Sequence, residues 1–289
     1  MVPAARPLPL ATQAVDRLIE ALTRRTGLAP ESAPAARARS FAAALPADRL
    51  AAAFLDLDAG RRSHDVDALL DHSTNRETYL FRDRRQLLLL ERELSGMVRA
   101  ASLPREITFW SAGCASGEEA YTLAILGLRV LAGSGLATMT ADGDVRFADG
   151  WSLRVLGTDI SADAIRRAGA PHFRAGPVAA LRDPSPGDLM HFRAVDGGFV
   201  PLPAVRRSVR FAVANILDGA PPGAPFDVVS CRNVLFYLAE AQRRRALSVL
   251  AAGTAEGGRL MFGSTDSGPD DPAFVPRHHE GAVVHARRA

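Results

Sequence analysis

The central part of the chain alternates between short apolar runs of β-strand character and segments with helical periodicity. The strand-like runs are residues 107–110, 153–160, 209–213, 226–231 and 257–264. After the first run, apolar side chains recur at Ala124, Ile125 and Leu128, which is the spacing of one helix face. The fourth run is almost wholly apolar, as a central strand of a parallel sheet should be. This order predicts an α/β fold built on a doubly wound, largely parallel sheet.

The turn between the first strand and its helix has the character of a ligand pocket. Gly113 and Gly117 let a ligand approach the backbone closely, because neither has a side chain. Glu118 and Glu119 open the helix and would repel a diphosphate, which prefers bare N–H groups at a helix start. S-adenosylmethionine fits better, since it carries a sulfonium and an ammonium. Two plainer interpretations stay open: a turn made for close packing, and a first-turn acid at Glu118 that stabilises the helix dipole.

Later segments supply the remaining parts of a nucleoside pocket. Asp159 ends the second strand, where a carboxylate can accept both hydroxyls of a ribose, although it could equally be a helix-capping acid. Ser161 stands where the N-cap of a helix over residues 162–168 belongs. After the third strand, Asn215 can donate to and accept from an adenine edge, and Ile216 can pack on the adenine face.

Residues 1–70 are predicted to form a separate, small all-helical domain rich in Ala and Arg. Val15, Leu18, Ile19 and Leu22 lie at the spacing of an amphipathic stripe. The predicted helices cover residues 15–26, 35–44, 47–57 and 65–72. The second domain, with the α/β pattern, takes residues 71–289.

Two segments interrupt the α/β pattern, and a third closes it. Residues 133–150 are rich in Gly, Ala and Asp, which predicts a surface hairpin or loop. Residues 173–209 contain two strand-like runs around Gly197-Gly198 and predict a small inserted β-subdomain. Residues 274–277 and 282–285 are expected to pair as an antiparallel hairpin at the end of the sheet.

Composition and charge narrow the function class. The 289 residues are 47% hydrophobic, enough for one sizeable core and a companion domain, and no apolar run approaches the ~18 residues of a membrane span. All 35 basic residues are Arg, and their clusters alternate with acids without a basic stripe carrying aromatic residues, which argues against nucleic-acid binding.

The cysteines and the N-terminal residues indicate the cellular compartment, and the histidines indicate whether a metal site is expected. Cys114 and Cys231 are too few for a disulfide framework and are interpreted as small buried hydrophobes in a reducing compartment. Residues 1–10 are Pro-rich and lack the apolar core of a secretory signal. The seven histidines are scattered, so no metal site is predicted. We therefore expect a cytoplasmic protein, without membrane insertion, and a monomer.

Five segments together resemble the CheR-type chemotaxis-receptor methyltransferases, which are protein-glutamate O-methyltransferases. The segments are residues 78–83 (TYLFRD), 110–121, 157–160, 226–237 and 257–264. The resemblance implies a class I S-adenosylmethionine-dependent methyltransferase domain with a Rossmann-like sheet, preceded by a helical domain and carrying an inserted β-subdomain. Two positions depart from the pattern: Arg76, where many relatives have Asn or a small residue, and Ala120, where Pro is common.

The resemblance also implies roles for individual residues. It assigns Arg82 and Tyr237 to the reaction centre. The residues it and the pocket pattern assign to the cofactor are Thr78, Arg82, Ala112, Gly113, Glu118, Asp159, Asn215, Ile216, Arg232 and Asn233. Plainer alternatives are a surface salt bridge from Arg82 to Asp83 or Glu77, and simple packing of Tyr237 on the sheet.

The function that follows is methyl transfer from S-adenosylmethionine to glutamate side chains of a chemoreceptor helical bundle or a similar signalling protein. A glutamate is ionised at pH 7, so it needs orientation and desolvation and no general base. Two alternatives stay open: a degenerate protein that binds the cofactor as a sensor or scaffold, and a methyltransferase for another substrate. A nicotinamide-dependent dehydrogenase is disfavoured, because Glu118 and Glu119 stand where its diphosphate would lie.

Overall fold

The computed structural model describes residues 10–75, 77–100, 105–148, 150–182, 184–266 and 268–288. The strands are β1 (Glu106–Ala112), β2 (Ala137–Met139), β3 (Val145–Phe147), β4 (Ser152–Asp159), β5 (Phe192–Val195), β6 (Gly198–Pro201), β7 (Val209–Val213), β8 (Phe226–Cys231), β9 (Thr254–Phe262), β10 (Phe274–His279) and β11 (Ala282–Arg287). The helices are α1 (Leu10–Thr26), α2 (Ala33–Ala43), α3 (Ala47–Asp58), α4 (His64–His72), α5 (Arg84–Arg99), α6 (Glu118–Gly133), α7 (Ala162–Gly169), α8 (Pro186–Leu189), α9 (Pro203–Arg207) and α10 (Glu240–Gly253). Short 3₁₀ turns cover Ile216–Asp218 and Leu235–Tyr237.

A seven-stranded sheet in the order β10-β11-β9-β8-β1-β4-β7 forms the centre of the described residues. The chain runs from β1 outward through β4 to β7 and then returns to β8 on the other side of β1. Within this sheet β11 runs antiparallel to both of its neighbours, and the remaining pairs are parallel. Such a reversal of strand order opens a crevice at the carboxyl ends of the strands, where ligands bind in α/β sheets. The predicted doubly wound α/β fold is confirmed.

Both faces of the sheet are buried, because alternate side chains of β1 enter different cores. Ile107 and Phe109 pack with α5 and α6 on one face, while Trp110 packs with Phe226 and the α10 residue Leu250 on the other. All five side chains are essentially inaccessible to solvent. The five predicted strand positions are confirmed, although the last strand begins at Thr254, three residues earlier than the prediction.

The four N-terminal helices have a core of their own and dock at the edge of the sheet where the parallel strands have their carboxyl ends. The predicted stripe on α1 is confirmed, since Leu18, Ile19 and Leu22 are buried. Arg25 makes a two-pronged ion pair with Asp218 at 2.8 and 2.9 Å. The segment after α1 also pairs with the chain after Tyr237: Ala29 N donates to Tyr237 O, and Ala239 N donates to Gly27 O, both at 2.9 Å. The division of the chain at residue 70 stays a prediction.

The two predicted interruptions are also present. β2 and β3 form an antiparallel hairpin inside residues 133–150. Inside residues 173–209, β5 and β6 pair antiparallel around the Gly197-Gly198 turn. The terminal hairpin of β10 and β11 is confirmed at the edge of the large sheet. None of the helices in the described ranges combines the length and the apolar character needed to cross a lipid bilayer.

Candidate active site

A cavity of about 350 Å³ opens at the carboxyl ends of β1, β4 and β8, beneath the N-terminal helices. Nine of the eleven residues assigned to the site line it: Thr78, Arg82, Gly113, Asp159, Asn215, Ile216, Arg232, Asn233 and Tyr237. Thr26, Leu28 and Pro34 of the helical unit complete the wall. The sheet and the N-terminal helices therefore share one pocket.

The turn after β1 is shaped by packing as well as by access to the cavity. Gly113 and Gly117 have positive φ angles of 75° and 94°, which favour glycine. A Cβ on Gly113 would lie 2.6 Å from Val234 Cγ2, and one on Gly117 would lie 2.9 Å from Ala168 Cβ. Gly117 is therefore explained by the close approach of α7, while Gly113 is on the cavity wall.

The two acids that open α6 lie in different surroundings. Glu118 is buried beneath the wall, accepts from Ser116 Oγ and hydrogen-bonds with Thr78. Its pKa is raised by burial. Glu119 lines the cavity instead, where Oε1 accepts from Ser111 Oγ at 2.6 Å. Successive helix residues point about 100° apart, so only one of two adjacent acids can face the pocket.

Ala112 and Glu118 are the two assigned residues that do not line the cavity. Ala112 is the last residue of β1, pairs with Thr158 of β4 and is almost wholly buried. Both belong to the layer that supports the wall, and their assignment as cofactor contacts stays a prediction.

Asp159 combines a structural role with a place on the cavity wall, and its contact with a ribose stays a prediction. Its Oδ1 accepts from Ser161 N at 2.9 Å and its Oδ2 accepts from Ala115 N at 3.0 Å, so it fixes the turns after β4 and β1. It also lines the cavity, and burial raises its pKa. Ser161 is the N-cap of α7, with its hydroxyl accepting from Ala164 N.

Asn215 lines the cavity but already uses both ends of its amide. Nδ2 donates to Arg25 O at 2.6 Å, and Oδ1 accepts from Leu217 N at 3.0 Å. These bonds fasten α1 to the turn after β7. Ile216, the next residue, is also on the wall.

The turn after β8 is held by an unusual set of charged groups. Arg232 is buried, donates through Nε to Glu119 Oε2 at 2.7 Å and through Nη1 to Arg82 O at 2.8 Å. Asn233 has a positive φ of 60°, and its Oδ1 is buried without a hydrogen-bond partner among the described residues. Asp266, which sequence reasoning missed, accepts from the Asn233 backbone N at 2.9 Å.

Arg82 and Tyr237 come together on the same cavity wall although 155 positions separate them in the chain. Arg82 Nη1 donates to Glu77 O at 3.2 Å, and its guanidinium lies 5.5 Å from the centroid of the Tyr79 ring. Within the described part of the chain Arg82 makes no ion pair, so the plainer interpretation of a surface salt bridge is not realised. The Tyr237 hydroxyl accepts a hydrogen bond from Asn75 Nδ2 at 2.7 Å.

Cysteines and metal ligands add no chemistry to this pocket. Cys114 and Cys231 are buried free thiols, and burial raises the pKa of both well above the usual range, as expected of small buried hydrophobes. In the ranges the structure describes, no three His, Cys, Asp or Glu side chains come close enough to hold a metal ion. Arg76, the departure noted in the sequence, lies outside the described residues.

Comparison with known proteins decides the family. Residues 76–276 match the family described as CheR methyltransferase, SAM binding domain. The chain belongs to the CheR methyltransferase family. It is 28% identical over 213 residues to a chemotaxis protein methyltransferase of Vibrio parahaemolyticus, which covers 73% of this chain and 72% of that protein.

Two other matches are less informative about function. An uncharacterized 104.1 kDa protein of Rhodobacter capsulatus is 30% identical over 243 residues, and this chain spans only about a quarter (23%) of that protein's length. A TehB-like SAM-dependent methyltransferase of Corynebacterium glutamicum superposes with a TM-score of 0.35 at 14% identity, over 71% of this chain and 97% of that one.

S-adenosylmethionine is the cofactor of this CheR family member, and the residues of the cavity fit it. A sulfonium and an ammonium require negative charge or acceptor oxygens nearby. The wall offers the Glu119 and Asp159 carboxylates, whose oxygens can accept from an ammonium and attract a sulfonium.

Proposed function

We propose that this CheR family member is a protein-glutamate O-methyltransferase that acts on the cytoplasmic part of chemoreceptors or related signalling proteins. One observation carries the proposal: Arg82, whose guanidinium has no ion pair within the described residues, and the phenol of Tyr237 share a cavity with the Glu119 and Asp159 carboxylates. The carboxylates suit a cationic methyl donor, while the guanidinium and the phenol suit an anionic acceptor. Relatives named chemotaxis protein methyltransferases support methyl transfer in a chemotaxis system.

The acceptor carboxylate has to be oriented and desolvated, and it needs no general base. A glutamate side chain is ionised at neutral pH, because its ordinary pKa is about 4.3. When bound, S-adenosylmethionine supplies an electrophilic methyl group on a positively charged sulfur. The planar fork of Arg82 can hold one carboxylate oxygen and leave the other free to attack. Tyr237 can donate its hydroxyl proton to the same group without neutralising it.

The position of Arg82 is set by groups that leave part of its guanidinium available. Glu77 O occupies one N–H, and the Tyr79 ring supports the cation. The buried Arg232 holds the Arg82 backbone carbonyl, so the segment before α5 is tied to the turn after β8. Such preorganisation lowers the entropic cost of aligning acceptor and donor.

To test the proposal, the full chain is incubated with methyl-labelled S-adenosylmethionine and with cytoplasmic fragments of chemoreceptors from the same cell. The readout is label in the fragment that alkali releases as methanol, which is specific to a carboxyl ester. We expect Arg82→Ala to lower the rate by about a hundredfold or more, since it removes a charge-assisted contact to the acceptor. Arg85→Ala, which removes an exposed Arg three positions away on α5, should leave the rate unchanged.

The outcomes separate the alternatives. Alkali-stable label would indicate methylation of another atom, and thus a methyltransferase for another substrate. S-adenosylmethionine binding without label on any fragment would favour the sensor or scaffold interpretation. Equal rates for wild type and Arg82→Ala would remove Arg82 from the reaction centre.

A further inference from the structure

The hydroxyl of Tyr237 is engaged by a residue that the family motif does not include. Asn75 lies in the loop between α4 and α5, on the cavity wall. Its Nδ2 is 2.7 Å from Tyr237 Oη, and its Oδ1 accepts from the backbone N of Glu77 at 3.4 Å. A backbone N–H can only donate, so the amide oxygen must face Glu77. The amide nitrogen, which can only donate, therefore faces Tyr237.

This polarity determines where the hydroxyl proton of Tyr237 goes. A phenol has one proton to donate, and the donor from Asn75 must occupy a lone pair of the oxygen. The proton has to point away from Asn75. Among the described residues no acceptor receives it, and Tyr237 lines the cavity. The ring itself is fixed against Phe236, with ring centroids 4.0 Å apart.

We propose that Asn75 is a positioning residue that turns the Tyr237 O–H into the cavity as a hydrogen-bond donor for the acceptor carboxylate. The inference rests on the proposed function, because the acceptor is taken to be a glutamate. It adds to that function the direction of the Tyr237 hydrogen bond. Arg82 and Tyr237 then both present hydrogen-bond donors to the pocket, and Asn75 prevents the phenol from turning its proton back into the protein.

Asn75→Asp is the sharpest variant, because it keeps the size of the side chain and reverses the polarity. An aspartate can only accept, so the Tyr237 proton would turn toward residue 75 and leave the cavity. Asn75→Ala removes the donor without supplying an acceptor. Thr138→Ala, on the exposed β2–β3 hairpin, is the control.

The first readout is the NMR chemical shift of the tyrosine ¹³Cζ atoms in the folded, full-length chain. The chain has three tyrosines, Tyr79, Tyr121 and Tyr237, and Tyr237→Phe identifies the relevant signal. We expect Asn75→Asp to move the Tyr237 signal toward the phenolate direction, because the hydroxyl then donates to a carboxylate. In the wild type, a receptor fragment added with S-adenosylhomocysteine should move it the same way, and in Asn75→Asp the fragment should cause no further change.

The second readout is methyl transfer to the fragment. Loss of one hydrogen bond to a charged group predicts a fall of about tenfold or more in kcat/KM for the fragment in Asn75→Asp, with a smaller fall in Asn75→Ala. The affinity for S-adenosylhomocysteine should stay within about twofold of the wild type. In a Tyr237→Phe background, Asn75→Asp should add nothing, since there is no proton to misdirect.

Two results would overturn the inference. One is a Tyr237 ¹³Cζ chemical shift that is unchanged in both Asn75 variants, and the other is Asn75→Asp activity equal to that of the wild type. A fall in activity that persists in the Tyr237→Phe background would also contradict it, because Asn75 would then act on something else. Failure of the proposed function has a different signature. The signal would then respond to the Asn75 variants while the wild type labels no fragment.

Discussion

At the scale of single residues, Asp266 organises the turn that carries Asn233 and Tyr237. Its Oδ2 accepts from Asn233 N at 2.9 Å and its Oδ1 accepts from Phe236 N at 3.1 Å. Burial raises its pKa, while the backbone N–H donors oppose that shift. One carboxylate therefore supports a residue with positive φ and the start of a 3₁₀ turn.

Asp266→Ala should destabilise the protein and slow methyl transfer together. Two backbone N–H groups would lose their acceptor, which predicts a loss of about 1–3 kcal/mol in the free energy of unfolding. Urea unfolding measures this loss, and Asp270→Ala, an exposed acid in the same loop, is the matched control. Unchanged unfolding of Asp266→Ala would contradict the role given to this carboxylate.

Residue-level prediction from the sequence succeeded where one local motif determines the position. Asp159 is the last residue of β4, Gly113 directly follows β1, and both line the cavity as predicted. The choice between Glu118 and Glu119 depends on how α6 is rotated, which two adjacent acids cannot reveal. Asn75 acts on a residue 162 positions away. No local pattern signals such a contact.

At the scale of elements, an ion cluster centred on the buried Asp188 joins the inserted segment to the main helices. Asp188 of α8 contacts Arg84 of α5 at 2.7 Å and Arg129 of α6 at 2.9 Å. Burial alone would raise the pKa of Asp188. Hydrogen bonds to these two guanidinium groups outweigh that effect and lower the pKa to about 2. The buried His191 accepts from Arg129 Nε at 3.2 Å and must therefore be neutral.

Acidification should weaken the fold through His191. Burial, and then Arg129, lower its pKa from 6.5 to about 4. Between pH 6.5 and about 4, His191 is protonated in the unfolded chain but stays neutral in the folded chain. The free energy of unfolding therefore falls as the pH drops toward 4. The expected loss is about 2 kcal/mol between pH 7 and pH 5. Urea unfolding at both pH values should show it, and His191→Gln, which keeps an acceptor but cannot titrate, should reduce it. An equal loss in both proteins would exclude His191 as the cause.

Element prediction from the sequence was good for strands and weaker for two helices. The strand runs were visible because buried parallel strands are short, apolar and bounded by turns. α10 lacks a clear helical stripe, because charged residues and alanines dominate it, and its packing against the sheet defines it. α5 has a clear stripe, with Leu87, Leu90 and Leu94 buried at helical spacing, and the sequence analysis did not use it.

At the scale of the whole molecule, the N-terminal helices form part of the pocket wall. They supply Thr26, Leu28 and Pro34 to its wall, and Ala29 N holds the carbonyl of Tyr237. Removing residues 1–70 would open the pocket and release the turn after β8. Receptor recognition by this unit therefore has to be tested with surface substitutions, because a truncation would disturb the reaction centre as well.

The central claim is that this chain methylates glutamate side chains in the pocket shared by its two units. The most direct measurement is tandem mass spectrometry of receptor fragments incubated with S-adenosylmethionine and either wild type or Arg82→Ala. We expect one added methyl group on a glutamate side chain with the wild type and, after the same incubation time, about a hundredfold less of this product with Arg82→Ala. A methyl group on a nitrogen or sulfur atom, or equal modification by both proteins, would contradict it.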